Sequence, residues 1–388
     1  MKALQMERRE LRYVAANVAS RLRPGAGADV GPLRMRDLDP PSPPTDAWQV
    51  LRPRLAGICG SDLDTVDGHA SRYFEPLVSF PFTPGHEVVG DLDDGSRVVL
   101  EPVLGHEARG ELPPSPHAAP ADGHDYGHLV CGHIKPGLQT GSCADTGGGW
   151  SEELVAHRTQ LHAVPDDMSD EAAVMIEPIA CAVHAALRAD IQPSDTVAVI
   201  GAGTMGLGSV AAVRHLTGAG EILVGAKHGH QRRWATELGA SVIVEPDGLR
   251  RAARRLTGSR VIGQGLSGGV DVVIDAVGSA ASLEDALSIV RPRGRVVLLG
   301  LPGHVELDLT GLWHREIELV GAYTYGTETI DGEPRHTFDI TAELVRSADL
   351  GRLVSATYPL DQYRTAIAHA AQAGSRGSVK VCFDLRDQ

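Results

Sequence analysis

Between residues 196 and 321 the hydrophobic positions fall in short runs that mostly do not alternate with polar ones. The runs cover 196–200, 221–225, 241–245, 270–276, 295–300 and 317–321, and they are rich in Val, Ile and Leu. Unalternating runs of this length predict strands buried on both faces, as in a parallel sheet covered by helices. The spacers have helical length, so this region predicts a doubly wound α/β fold.

The chain before residue 196 is patterned differently. A short strand opens it, and the proline cluster Asp39-Pro40-Pro41-Ser42-Pro43-Pro44 predicts a connector, because proline continues neither a helix nor a central strand. Residues 48–55 predict a strand running into the turn at Cys59, and 91–100 predict a hairpin around Asp94-Gly95. Residues 105–149 have little periodicity and many Pro, Gly and His, which predicts an extended lobe. Residues 151–157 read as a returning strand. Ser169-Asp170-Glu171 is a helix-start signal, and Pro178 predicts two helical pieces meeting near Glu177. Beyond residue 324 the pattern predicts helices over 338–347 and 362–373 and a last strand over 379–384.

Composition narrows the classes. A chain of 388 residues is long enough for two domains with a large core. No apolar run reaches the roughly 18 residues that a membrane span needs. The formal charge of −14 argues against general nucleic-acid binding. Five cysteines make no disulfide framework and fit a reducing compartment, and the N-terminus has no apolar leader segment, so a cytoplasmic protein is expected. Only four of the 36 basic residues are Lys, which makes Lys227 conspicuous.

Three stretches and Glu177 carry chemistry. Leu55-Ala56-Gly57-Ile58-Cys59-Gly60-Ser61-Asp62 presents a thiol, a hydroxyl and a carboxylate on one tight turn. Gly85-His86-Glu87 and Glu177 add imidazole and carboxylates, so Cys59, His86, Glu87 and Glu177 form a candidate metal set, since catalytic zinc sites use three protein ligands and keep one position open. Gly201-Ala202-Gly203-Thr204-Met205-Gly206 follows an apolar strand and opens a helix. The first glycine permits the turn, the second lets a pyrophosphate approach and the third lets the helix pack on the strand, so a dinucleotide site is predicted. The next strand ends at Ala226, where a carboxylate would hold an NAD ribose. Lys227, His228, His230 and Arg232 follow, a set suited to a 2′-phosphate, so NADP(H) is expected over NAD(H).

At this point the chain resembles the zinc-dependent medium-chain alcohol dehydrogenase family, in its polyol and glucose dehydrogenase-like branches. The motifs are Gly57 to Asp62, Pro84-Gly85-His86-Glu87, Asp145 to Glu152, Ile176-Glu177-Pro178 and the Gly201 turn. The resemblance implies a β-rich GroES-like catalytic domain over 1–178 and 323–388, with its lobe at about 105–149, and a Rossmann domain over 179–322. It implies one catalytic zinc per chain on Cys59 and His86, with Glu177 in the third position and Glu87 either a fourth ligand or a carboxylate that exchanges with water. Asp62 would fix the His86 tautomer, and Ser61 would carry the substrate proton. The relay would end at Asp64 or His69. Thr204, Met205, Ala276, Val277, Leu299, Gly300 and Leu301 would line the cofactor with the three glycines. The lobe lacks the four cysteines that hold a structural zinc in many relatives, so no such zinc is expected. The implied activity is hydride transfer between NADP(H) and a secondary alcohol or ketone, possibly a sugar or polyol. The alternatives are a zinc-free enoyl or quinone reductase and a non-catalytic NADPH-binding protein. A homodimer or homotetramer built on the edge at Val320-Gly321-Ala322 is expected.

Overall fold

The structure is a computed structural model that describes residues 1–263 and 265–386. The chain divides into two compact units, one of Met1–Glu177, Thr329–Phe338 and Asp349–Gln388, the other of Pro178–Glu328 and Asp339–Ala348. The sequence reading groups all of 323–388 with the first unit. The packing instead groups 323–328 and 339–348 with the second.

The first unit opens with β1 (Lys2–Met6), α1 (Glu10–Leu22) and β2 (Leu33–Asp37), and the two strands pair antiparallel. Helix α1 was not anticipated. Its larger apolar side chains, Leu11, Val14, Val18 and Leu22, face solvent, while Ala16 and Ser20 are buried. Polar bonds tie it down: Asn17 donates to the Gly68 carbonyl at 2.9 Å and Ser20 to the Asp67 carbonyl at 3.2 Å.

Strand β3 (Trp48–Gly57) is the spine of this unit. It delivers the chain to α2 (Gly60–Val66), after which come β4 (Val88–Leu92), β5 (Arg97–Leu100), β6 (Leu154–His157), β7 (Leu161–Ala163) and α3 (Asp170–Val174). β3 pairs antiparallel with β4 and with β6, and β5 with β7. Pro53 sits where the β3–β4 register shifts, which is where a strand tolerates a missing donor. Asp170, nearly buried at the start of α3, is met by Arg54 at 2.9 Å and Arg97 at 3.0 Å, so its charge is compensated.

Met175 separates α3 from α4 (Ile176–Arg188), with Pro178 in the first turn of α4 where its missing N–H costs nothing. The second unit then alternates β8 (Val197–Ile200), α5 (Thr204–Leu216), β9 (Ile222–Gly225), α6 (Gly229–Glu237), β10 (Val242–Val244), α7 (Leu249–Thr257), β11 (Val270–Asp275), α8 (Ala280–Ile289), β12 (Val290–Leu298) and β13 (Glu318–Gly321). All six strands are parallel, in the order β10-β9-β8-β11-β12-β13. The order reverses beside β8, where a doubly wound sheet binds its ligand. Every residue of β8 and β9 is buried, which is why those runs do not alternate.

The chain continues through β14 (Glu333–His336), α9 (Thr337–Ser347), β15 (Val354–Pro359), α10 (Tyr363–Ala370) and β16 (Lys380–Asp384). β16 pairs antiparallel with β3, joining Cys382 to Gly57 and Asp384 to Leu55. No described helix is long and apolar enough to cross a membrane.

Candidate active site

Strand pairing assembles the site. Because β3 and β4 are antiparallel, the C-terminal end of one lies beside the N-terminal end of the other. The Gly57 amide donates to the Glu87 carbonyl at 2.8 Å and Ala56 faces Val88. Cys59, two residues past β3, therefore meets His86 and Glu87 just before β4. Their ligand atoms lie within 4.8 Å of one another. His86 and Glu87 are buried and Cys59 is half-buried.

Asp62, on the first turn of α2, faces both parts. One carboxylate oxygen accepts the Cys59 amide at 3.0 Å. The other stands 3.5 Å from His86 Nδ1, which turns Nε2 toward the trio. Burial pulls the His86 imidazole down, but the Asp62 carboxylate and the Cys59 sulfur outweigh it and hold the ring well above its usual range.

β16 brings a residue that the motifs did not point to. Ile58 donates to the Val381 carbonyl at 3.0 Å, so Lys380 arrives beside the same corner. Lys380 is buried, donates to the Ile58 carbonyl at 3.3 Å and forms an ion pair with Glu87 Oε2. Burial lowers an ammonium, but Glu87 dominates and pushes Lys380 up. Of the two roles open to Glu87, this pairing favours the carboxylate held behind the ligands. Its Oε1 has no hydrogen-bond partner among the described residues. The available signal was the scarcity of Lys, which had singled out Lys227 alone. Cys382, in the same strand, is fully buried, and its thiol is pushed up to about 12 by that burial.

Glu177 is buried in the first turn of α4, in the same unit, and is not one of the clustered three. Ser61 is half-buried on α2, two residues after Cys59. Asp64 is held above the usual carboxylate range by burial. The His69 ring is committed elsewhere, with Nδ1 3.0 Å from Asn17 Nδ2 and Nε2 2.9 Å from Ser20 Oγ, both on α1.

In the second unit Gly201 adopts φ +94°, in the left-handed region. A Cβ on Gly206 would stand 2.0 Å from the Gly201 carbonyl oxygen, whereas one on Gly203 would meet nothing within 4 Å. The turn is closed on one side and open at the start of α5, where Thr204 and Met205 begin the helix. The buried Asp275 carboxylate accepts the amides of Val277 at 2.9 Å and Gly278 at 3.1 Å, fixing the loop after Ala276. That loop lies against Leu299-Gly300-Leu301: a Cβ on Gly300 would come within 2.3 Å of the Gly278 nitrogen. Beyond β9, Ala226 is buried. Arg232 donates to the carbonyls of Ala226 at 3.2 Å and Lys227 at 3.0 Å, so its guanidinium lies at the strand end. Its ion pair with Glu245, at 3.2 Å, is largely exposed. His228 caps α6 and stacks near His230.

In the lobe, Arg109 is buried and donates to the carbonyls of Leu104 at 3.1 Å, Cys131 at 3.1 Å and Gly137 at 2.5 Å. One guanidinium thus gathers backbone from both ends of the lobe. Among the described residues, the lobe's own histidines and cysteines bring no three ligand groups together.

Residues 45–166 match the family described as alcohol dehydrogenase GroES-like domain, and residues 204–338 the family described as zinc-binding dehydrogenase. Sorbitol dehydrogenase of Bacillus subtilis (strain 168) is 29% identical over 331 residues, covering 83% of this chain and 86% of that protein. D-arabitol-phosphate dehydrogenase of Enterococcus avium is 27% identical over 330 residues, again 83% and 86%. The crystal structure of 2R,3R-butanediol dehydrogenase from Bacillus subtilis shares the fold, with a TM-score of 0.71 at 22% identity over 99% of each chain.

Proposed function

The chain belongs to the zinc-dependent medium-chain alcohol dehydrogenase family, and on that premise we propose that it transfers hydride between a secondary alcohol or ketone and NADP(H) beside a zinc centre on Cys59 and His86. The observation that carries the proposal is the buried meeting of Cys59, His86 and Glu87, with Asp62 fixing the imidazole. A cysteine sulfur and an imidazole meeting at one corner are donors that fit zinc. Glu177 is the third ligand, because the charge of Glu87 is already taken by Lys380.

Zinc there supplies Lewis acidity toward a substrate oxygen, and the nicotinamide supplies the hydride chemistry. The residues do the positioning. Asp62 accepts the His86 Nδ1–H and leaves Nε2 to bind. Ser61 holds the hydroxyl proton and passes it toward Asp64, since His69 is engaged by α1. Lys380 holds Glu87 back through their ion pair.

A polyol or other sugar-derived alcohol is the substrate class, in line with the sorbitol and arabitol-phosphate dehydrogenases among its relatives. NADP(H) is preferred because Ala226 leaves no carboxylate to repel a 2′-phosphate, while Lys227, His228 and Arg232 surround that point. The exposed Arg232–Glu245 pair is worth little and yields to a phosphate. The sheet edge at Val320-Gly321-Ala322 pairs copies into a homodimer or homotetramer, and the enzyme works in the cytoplasm. The test is a fluorescence titration with NADPH and NADH followed by a turnover screen of polyols. NADPH should bind at least about tenfold more tightly, and Arg232→Glu should reverse the order. Equal affinities unchanged by that substitution would remove the cofactor assignment. Turnover of enones or quinones but no alcohol would favour a zinc-free reductase.

A further inference from the structure

A second group of metal-ligating side chains lies in the first unit and belongs to none of the motifs above. Glu101 follows β5 directly, and its backbone is held by a 2.7 Å hydrogen bond from its amide to the Gln160 carbonyl. His162, on β7, presents Nε2 at 2.7 Å from Glu101 Oε2. His336, the last residue of β14, presents Nε2 at 3.4 Å from the same oxygen. The three ligand groups lie within 4.8 Å of one another. We propose that Glu101, His162 and His336 form a second metal site, with two imidazoles and one carboxylate, that takes a divalent first-row transition ion such as Zn2+.

Three observations carry it. The Glu101 side chain is 0% exposed, and its Oε1 has no hydrogen-bond partner among the described residues. A buried carboxylate in that state is costly unless a cation stands against it. The two imidazoles, by contrast, are 25% and 21% exposed and line a cavity of about 250 Å³ together with His106, Glu107, Pro113 and Pro120. The site is therefore closed on the carboxylate side and open on the imidazole side, as in centres that keep positions for water or a further ligand. Finally, ligand atoms about 2.0–2.2 Å from a tetrahedral zinc lie roughly 3.3 Å apart. The His336–Glu101 separation already has that value, and the His162 contact must open by about half an ångström.

The competing arrangement is a metal-free hydrogen-bonded cluster. The Phe338 amide approaches His336 Nδ1 at 3.4 Å, which suits a ring protonated on Nε2 and donating to Glu101. Loading the ion moves the ring protons from Nε2 to Nδ1 and gives up that long contact. The site differs in kind from a four-cysteine structural centre, since it contains no sulfur and spans segments 235 residues apart in the chain, from Glu101 to His336.

The test uses the full chain as purified, after growth with zinc or with cobalt as the probe ion. The wild type should carry two ions per chain. His162→Gln and His336→Gln should each carry one, with the thiolate-to-cobalt charge-transfer band of Cys59 intact. The Cys59→Ser/His86→Ala variant should keep one ion and a cobalt spectrum without that band. A single ion in the wild type, with content and spectrum unmoved by His162→Gln and His336→Gln, would overturn the site. So would a second ion that survives both substitutions, because it would lie elsewhere. A wild type that carries one sulfur-free ion and no thiolate band, with that ion lost in His162→Gln and His336→Gln, would leave this site standing and count against the Cys59 centre instead.

Discussion

Lys380 and Glu87 are each almost fully buried and are paired, so neither charge is tolerable alone. Removing one partner of such a pair typically costs about 3–5 kcal/mol, whereas replacing both with neutral groups of similar volume costs far less. Lys380→Met should therefore lower unfolding free energy by about 3–5 kcal/mol, and Glu87→Gln/Lys380→Met should recover most of it. Denaturant unfolding of the three variants checks this; additive losses would mean that the pair is not coupled. The contrast with Cys59, His86 and Asp62 explains what was legible at this scale. Those three stand in short motifs whose chemistry is local. Lys380 is over 290 residues from His86 and reaches the site only because β16 closes onto β3, a pairing that no local pattern encodes. Glu101, His162 and His336 were hidden for the same reason. His69, the alternative to Asp64 as the end of the relay, has both ring nitrogens against Asn17 and Ser20 of α1, a contact that no local pattern encodes.

The glycine turn was the most legible element, because its geometry is dictated by close approach. Gly206 has no room for a side chain, while Gly203 opens onto empty space at the start of α5. The two positions should separate fold from function. Gly206→Ala should destabilise the second unit, because a Cβ would have to displace the Gly201 carbonyl. Gly203→Ala should leave thermal stability nearly unchanged and weaken cofactor binding by about tenfold or more, since the added methyl stands where a pyrophosphate must approach. Thermal melts with and without NADPH distinguish them; Gly203→Ala binding NADPH as tightly as the wild type would refute the placement. The parallel strands were equally readable from apolar runs that mostly do not alternate. Helix α1 was not, because it turns its large apolar residues outward and buries Ala16 and Ser20, reversing the usual stripe.

At the scale of the whole molecule, the two patterns of hydrophobicity do correspond to two compact units, one built on an antiparallel spine and one on a parallel sheet. Within 323–348 the packing groups 329–338 with the first unit and 323–328 and 339–348 with the second, a division set by tertiary contacts rather than by local pattern. The lobe's lack of clustered cysteines was visible in the sequence. What gathers its carbonyls was not, since Arg109 looks like any surface arginine until its burial is known. The most direct test is zinc content and alcohol turnover measured on the same samples of wild type, Cys59→Ser and Glu177→Gln, with NADPH affinity as the control. The expected result is that both variants lose the Cys59-associated ion and at least about a thousandfold in turnover while binding NADPH as before. Turnover that persists in Cys59→Ser after that ion is gone would contradict a zinc-centred mechanism.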